Sequence, residues 1–290
     1  MKAGVIGLGA MGAGMAANLA HSGQLAAVWN RTSRKADEFA AAHGVSVADG
    51  PAGVAAAADV VVTCVSADED VLEVVEALKP ALEPGKVVVD TSTVAGETAR
   101  RAAEIVRSAG GEFLDAPVSG GVEGARNGTM VMMVGGGEEV LERVRPVLSV
   151  ISGKAAHMGP VGAGQATKAV NQIMAAGINS AVTEALAFGE TEGLDMERVI
   201  DVIQGGAAGN WFLQHRGPNM VRGVFDPGFK VVLHRKDLGI IRQTLAKKGV
   251  MLETVERIVD EYDALIADGY GDEDISALFR RKRAIFGDNA

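Results

Sequence analysis

The sequence is short of several things, and each shortage removes a class of explanation. It holds a single cysteine, Cys64, so no disulfide can form within the chain and a cysteine-based metal site lacks ligands; no metal is expected. No run approaches the ~20 consecutive apolar residues that a helix needs to span a bilayer. The N-terminal stretch Met1-Lys2-Ala3-Gly4-Val5-Ile6 leads straight into a glycine cluster and lacks the unbroken apolar segment of a secretory signal. Positive charge is scarce as well. Lys and Arg number 28 against 37 Asp and Glu, and the net charge of −9 argues against nucleic acid or an anionic membrane as a partner. These absences predict a cytoplasmic globular protein, at 290 residues long enough for two domains.

What is present has a clear order. In the first half, β-branched runs alternate with amphipathic, alanine-rich stretches. Strands are expected at residues 3–6, 26–29, 60–65, 87–90, 112–115 and 130–134, and helices at 11–21, 33–43, 71–82, 97–109 and 138–151. Continuous apolar strands separated by helices predict a mostly parallel sheet covered on both faces, the doubly wound Rossmann type of α/β fold. The last strands can run antiparallel, because no clear helix separates 130–134 from its predecessor. Cys64 reads as a small buried strand residue. After Gly164 the strand pattern stops. Residues 165–192 read as one long helix, with further helices at 196–204, 237–248, 252–268 and 275–286, while Pro218, Pro227 and several glycines break the region between. The expected organisation is an α/β Rossmann domain over 1–163 and an all-α domain over 164–290, joined by the long helix.

The first strand ends in Gly7-Leu8-Gly9-Ala10-Met11-Gly12, which fits G-x-G-x-x-G between a strand and a helix. In that setting Gly7 permits the tight turn, Gly9 lets a pyrophosphate approach the backbone, and Gly12 allows close helix–strand packing. Phosphates would sit on the helix N-terminus. The end of the second strand bears on the choice of cofactor. An NAD site usually carries an acid there for the ribose hydroxyls. Here the turn reads Asn30-Arg31-Thr32-Ser33-Arg34-Lys35, with no acid in it. Arg31 can embrace a 2′-phosphate with Thr32 or Ser33 adding a hydroxyl, so NADP is favoured over NAD; the same turn can also be a solvated cap on the next helix, with Thr32 or Ser33 as N-cap. Val65-Ser66 and Asp90-Thr91-Ser92-Thr93 end later strands and are expected to line the same ligand, although Ser92 and Thr93 could equally cap the helix that follows.

Two further stretches carry chemistry. Asp115-Ala116-Pro117-Val118 leads into Ser119-Gly120-Gly121, where a hydroxyl beside successive amides can hold a carboxylate through neutral donors. On the apolar helix that begins near Gly164, Lys168 is followed at i+3 and i+4 by Asn171 and Gln172, so the three share a face. A lysine on such a helix is costly unless it has a partner or a task. Proton transfer to or from a reacting oxygen is one such task.

The chain resembles the β-hydroxyacid dehydrogenases, a family that includes 3-hydroxyisobutyrate dehydrogenase, tartronate semialdehyde reductase and succinic semialdehyde reductase. The resemblance runs over essentially the whole chain and rests on GVIGLGAMGAGMAANL at 4–19, DAPVSGGVEGARNGT at 115–129, GPVGAGQATKAVNQ at 159–172 and FDPGFKVVLHRKDLG at 225–239. It implies that Lys168 is the general acid and base, and that Ser119, Gly120 and Gly121 hold the substrate carboxylate. Asn171 or Gln172 supplies an amide to the substrate. It further implies that Val65, Ser66, Asp70, Thr93 and Lys236 contact the cofactor along with Gly7 to Gly12, Asn30, Arg31, Thr32 and Lys35. A homodimer or homotetramer is implied too. The expected activity is hydride transfer between NADP(H) and a short 3-hydroxy acid or its semialdehyde. The alternatives are a tartronate or succinic semialdehyde reductase using either cofactor, and a dinucleotide-binding interaction module without turnover.

Overall fold

The computed structural model describes residues 1–287; positions 288–290 of the expected second domain lie outside the described residues. The chain forms two compact units, Met1–Lys168 and the part from Ala169 onward. The border falls within the long helix and not ahead of it at 163/164, because the first turns of that helix bond to the end of the sheet.

The first unit is the expected Rossmann fold. Its strands are β1 (Ala3–Ile6), β2 (Leu25–Trp29), β3 (Ser46–Val47), β4 (Val60–Thr63), β5 (Val87–Asp90), β6 (Glu112–Asp115), β7 (Val118–Ser119), β8 (Met130–Gly135) and β9 (Ser152–Gly159). They form one sheet in the order β3-β2-β1-β4-β5-β6-β8-β7, with β9 pairing to β8. Pairing is parallel from β3 to β6; β8 then runs antiparallel to β6 and β7. The helices are α1 (Ala10–His21), α2 (Ser33–His43), α3 (Pro51–Ala57), α4 (Asp68–Leu78), α5 (Gly96–Ser108), α6 (Gly121–Asn127) and α7 (Glu138–Ile151). β1, β4 and β5 are buried along their whole length, as strands covered on both faces must be. Alternate residues serve opposite layers. Val5, Val60, Val62, Val87 and Val89 pack with Met15, Leu19, Leu141 and Leu148 on one face. Ile6, Val61 and Val88 pack with Val54, Val75, Leu78, Ala103 and Val106 on the other.

The second unit is helical: the rest of α8 (Ala163–Thr191), then α9 (Met196–Ile203), α10 (Trp211–Val221), α11 (Val231–Ala246), α12 (Glu253–Ala267) and α13 (Leu278–Ile285). Its core gathers Leu186, Met220, Leu238, Ile258, Tyr262 and Phe279.

The local pattern missed several elements. β3 and β7 are two-residue strands, too short to show a period. β9 is largely exposed and carries Gly153 and Lys154, so it lacks the apolar run of a central strand. A short helix, α6, does separate β8 from its predecessor, contrary to expectation; its glycines, Gly121 and Gly124, mask it. α10 runs through Pro218, where a break is expected, because burial of Phe212, Leu213 and Met220 outweighs the lost backbone bond. Cys64, expected in a strand, lies just past β4 and is half-buried.

Two glycines of α8 make opposite predictions. A Cβ on Gly164 would collide with the Met133 carbonyl oxygen and lie 2.6 Å from that of Asp115, both backbone atoms that cannot step aside. A Cβ on Gly177 meets nothing within 4 Å. Gly164→Ala should therefore destabilise by roughly 1–3 kcal/mol, the range for overpacking, and Gly177→Ala should stabilise by roughly 0.5–1 kcal/mol, the helix-interior preference for alanine. Denaturant unfolding of the two variants checks both signs.

Candidate active site

The glycine loop lies at the β1/β4 boundary, where the strand order reverses and ligands of open α/β sheets bind. A Cβ on Gly7 would collide with the Cys64 carbonyl, and one on Gly12 with the Gly7 carbonyl, so both positions are closed by backbone. At Gly9 an added Cβ meets nothing within 4 Å: this glycine opens outward. Gly9 is also the N-cap of α1, which has no side-chain cap and no acid in its first turn. Unfilled helix amides beside an open backbone suit a pyrophosphate. Among the neighbours, Ala10 is exposed, and the buried Leu8 donates its N–H to Asn30 Oδ1 at 2.8 Å. Met11 is half-buried against the core.

At the end of β2, Asn30 works for the loop itself. It accepts from Leu8 and donates through Nδ2 to the Thr32 carbonyl at 3.0 Å, tying the glycine turn to the basic turn. Thr32 is the N-cap of α2 but makes no side-chain cap bond; Thr32 and Lys35 are both exposed. Arg31 is largely solvent-exposed, yet its Nη1 lies 2.7 Å from Asp70 Oδ1. The turn expected to be free of acid thus receives one from the first turn of α4. That pairing spans 39 residues, which is why the turn's own sequence does not reveal it.

The ends of β4 and β5 are stitched together by a buried carboxyl. Asp90 Oδ1 accepts from Thr63 Oγ1 at 2.7 Å and from Ser92 Oγ at 2.6 Å, while Ser92 Oγ accepts from the Val65 N–H at 2.9 Å. Ser92 is therefore no helix cap: α5 takes Ala95 as its N-cap, and Thr93 is half-buried beside it. Ser66 is exposed next to Val65. Asp90 Oδ2 is buried without a hydrogen-bond partner. Burial pushes the Asp90 carboxyl up to about 6, against the pull of the Ser92 and Thr63 bonds; the Asp115 charge adds to the rise.

Asp115 pairs with Asp90 across the β5–β6 register and ends the neighbouring strand. Its two oxygens accept from the Gly162 N–H at 2.7 Å and the Gln165 N–H at 2.9 Å, so it caps α8 from the sheet. Burial raises its pKa while those amide bonds oppose the rise. Gln165 completes the clamp, donating Nε2 to the Ser92 carbonyl at 2.8 Å and accepting from the Val94 N–H at 3.2 Å. One turn further on, Lys168 is 7% exposed and donates Nζ to the Val118 carbonyl at 2.8 Å. The next residue is Ser119. Gly120 and Gly121 follow at φ +130° and +62°, conformations that favour glycine. The lysine and the Ser119-Gly120-Gly121 loop, read separately from sequence, are thus neighbours within one compact unit.

Asn171 and Gln172 belong to the second unit. Gln172 is held at both ends: Oε1 accepts from Asn171 Nδ2 at 2.8 Å, and Nε2 donates to Asp237 Oδ2 at 2.7 Å. Asp237 is buried and also pairs with Lys236 at 3.2 Å, Lys236 itself being about one-third exposed. His234 Nε2 lies 3.2 Å from the Gln172 carbonyl, which can only accept, so that nitrogen carries the hydrogen.

The comparisons with known proteins fall on this geometry. Residues 2–159 match the NAD binding domain of 6-phosphogluconate dehydrogenase, and residues 162–281 match the NAD-binding domain of NADP-dependent 3-hydroxyisobutyrate dehydrogenase. The chain is 38% identical to the 2-hydroxy-3-oxopropionate reductase of Escherichia coli (strain K12) over 281 residues, 96% of each chain. It belongs to the β-hydroxyacid dehydrogenase family. Among solved structures, Mycobacterium tuberculosis 3-hydroxyisobutyrate dehydrogenase with L-serine superposes with a TM-score of 0.89 at 36% identity, covering 98% of this chain and 99% of that one. Psf3 in complex with NADP+ and 2-OPP gives 0.87 at 26% identity, covering 96% and 99%. As a β-hydroxyacid dehydrogenase, the chain is an NAD(P)-dependent oxidoreductase acting on a CH–OH group.

Four residues of this dehydrogenase have roles that the sequence does not give: Asp90, expected only to line the ligand, joins two strand ends, and Asp115, Gln165 and Asp237 carry no expected role. For the first two a signal existed, since each is an acid closing an otherwise apolar strand. Among the described residues no helix is long and apolar enough to cross a membrane, and no group of three or more His, Cys, Asp or Glu could hold a metal ion.

Asp90 carries a pH prediction. Its folded pKa of about 6 lies above the ordinary 3.8, so between those values the folded state binds more protons and stability falls as pH rises. For one buried carboxyl the total is on the order of 3 kcal/mol. Asp90→Asn keeps the Oδ1 acceptor and removes the titration. The stability of the wild type relative to this variant should decline from pH 4 to pH 6 and level off above, as urea unfolding at a series of pH values will report; a constant difference would refute the assignment.

Proposed function

We propose that this dehydrogenase interconverts a short 3-hydroxy acid and its semialdehyde with NADP(H), and that Lys168 moves the proton. The observation that carries the reading is the 2.8 Å bond from Lys168 Nζ to the Val118 carbonyl, one residue before Ser119. When bound, the nicotinamide supplies or accepts the hydride at the substrate carbon. The Ser119 hydroxyl and the amides of Gly120 and Gly121 hold the substrate carboxylate with neutral donors. With the carboxylate anchored there, the oxygen on the β-carbon lies within reach of the lysine amine. In reduction Lys168 donates a proton to that oxygen as negative charge develops, and in oxidation its neutral amine takes the hydroxyl proton. Between the two amides on α8, we assign substrate contact to Asn171, since both ends of Gln172 are already held. The relative bound to L-serine, itself a 3-hydroxy acid, supports this substrate class. The Escherichia coli relative favours 2-hydroxy-3-oxopropionate as a second substrate to try.

NADP is preferred in this reading because Arg31 stands where the 2′-phosphate is expected, with support from Psf3 and its NADP+. Losing a charge-assisted contact costs roughly 1.5–3 kcal/mol, or one to two decades in affinity. Arg31→Ala should weaken NADPH by that much and spare NADH. Wild-type turnover of NADH as efficient as that of NADPH would contradict the preference.

General acid–base groups contribute ~10²–10⁴-fold. Lys168→Ala should lose at least that much turnover with NADPH affinity and thermal unfolding unchanged, and Lys168→Arg should fail as well, because a guanidinium is no base near neutral pH. Ser119→Ala should raise KM about tenfold for the loss of one hydrogen bond to a charged group, leaving cofactor affinity intact. Steady-state kinetics on a panel of small semialdehydes, paired with NADPH titration, distinguishes these results from a folding defect.

A further inference from the structure

The three acids in the first turn of α4 do different work. Asp68 turns toward α5, accepting from the Ala95 N–H at 2.9 Å and from the Thr98 hydroxyl. Glu69 is exposed. Asp70 turns the other way and meets Arg31. The pair is lopsided: the Asp70 side chain is 19% exposed and the Arg31 side chain 73%. The acid is therefore the fixed partner, and the arginine reaches to it from solvent.

Such a pair bears on what Arg31 can hold. Only Nη1 is engaged with Asp70, so the guanidinium keeps other N–H groups for a second anion. A phosphate on those groups would nevertheless share one cation with a carboxylate. Like charges held that close repel, and a half-buried carboxylate is screened less than an exposed one. A cofactor without the phosphate imposes no such conflict, and the ion pair then stays closed.

We propose that Asp70 is a selectivity residue acting through Arg31: it opposes the 2′-phosphate and thereby keeps the preference for NADP over NAD small. This inference rests on the reading of Arg31 given above. It replaces the direct cofactor contact implied for Asp70 with an indirect one. An acid at the end of β2 would reject NADP outright; an acid arriving from α4 only competes for the arginine. The result is a site that accepts either cofactor, with the balance set by one carboxylate.

The test is equilibrium titration of NADPH, NADH and 2′,5′-ADP against the wild type, Asp70→Asn, Asp70→Ser and Arg31→Ala, with thermal unfolding of each. Asn keeps the size and an acceptor oxygen while removing the charge; Ser removes both. Both Asp70 variants should bind NADPH and 2′,5′-ADP about tenfold more tightly and NADH within twofold of wild type. A merely structural role would move NADPH and NADH together. If Arg31→Ala selectively loses NADPH while the Asp70 variants leave NADPH unchanged or weaken it, Asp70 orients the arginine; the inference then falls and the Arg31 reading stands. If Arg31→Ala affects neither cofactor, or both alike, the Arg31 reading falls and takes the inference with it.

Discussion

The site depends on one carboxylate. Asp115 closes β6 and places its two oxygens on the Gly162 and Gln165 amides at the start of α8. Those amides have no partner within the helix, and a buried N–H left alone is costly. A carboxyl acceptor from the sheet satisfies both and fixes where the helix begins. Lys168 follows one turn later, so its amine is delivered beside Val118 and the loop that follows. Gly164 makes this possible: any side chain there would strike the backbone of β6 and β8. The clamp also explains why the compact first unit reaches as far as Lys168.

A second buried carboxyl, Asp90, does similar work one strand away. Through Thr63 and Ser92 it joins the ends of β4 and β5, and through Ser92 it holds the Val65 amide. The two acids are register partners, so burial and mutual repulsion both raise the Asp90 pKa. Folding tolerates this cost because Asp90 Oδ1 organises the strand ends where cofactor contacts are expected. This is the familiar trade between local stability and a preorganised site.

Much of this was legible in the sequence. The glycine spacing anticipated which position would be open, and the added-Cβ geometry distinguishes Gly9 from Gly7 and Gly12 in the sense expected. The Rossmann order followed from strands without polar alternation, and the long α8 from its unbroken apolar pattern. A lone lysine on that helix pointed to a polar partner. What stayed hidden has a common cause: contacts between residues far apart in sequence have no period. Neither Asp115 with Gly162 nor Arg31 with Asp70 can be found from a local window. α6 and α10 were hidden differently, one by its glycines and the other by a proline that tertiary burial overrides.

The central claim is that the Lys168 amine itself transfers the proton. Chemical rescue tests it most directly: turnover of a folded, NADPH-binding Lys168→Ala protein measured against increasing concentrations of small primary amines. The account predicts that turnover rises with amine concentration and varies with amine basicity, the missing group being replaced from solution. Residual turnover indifferent to every amine, in a variant that still binds NADPH, would contradict it.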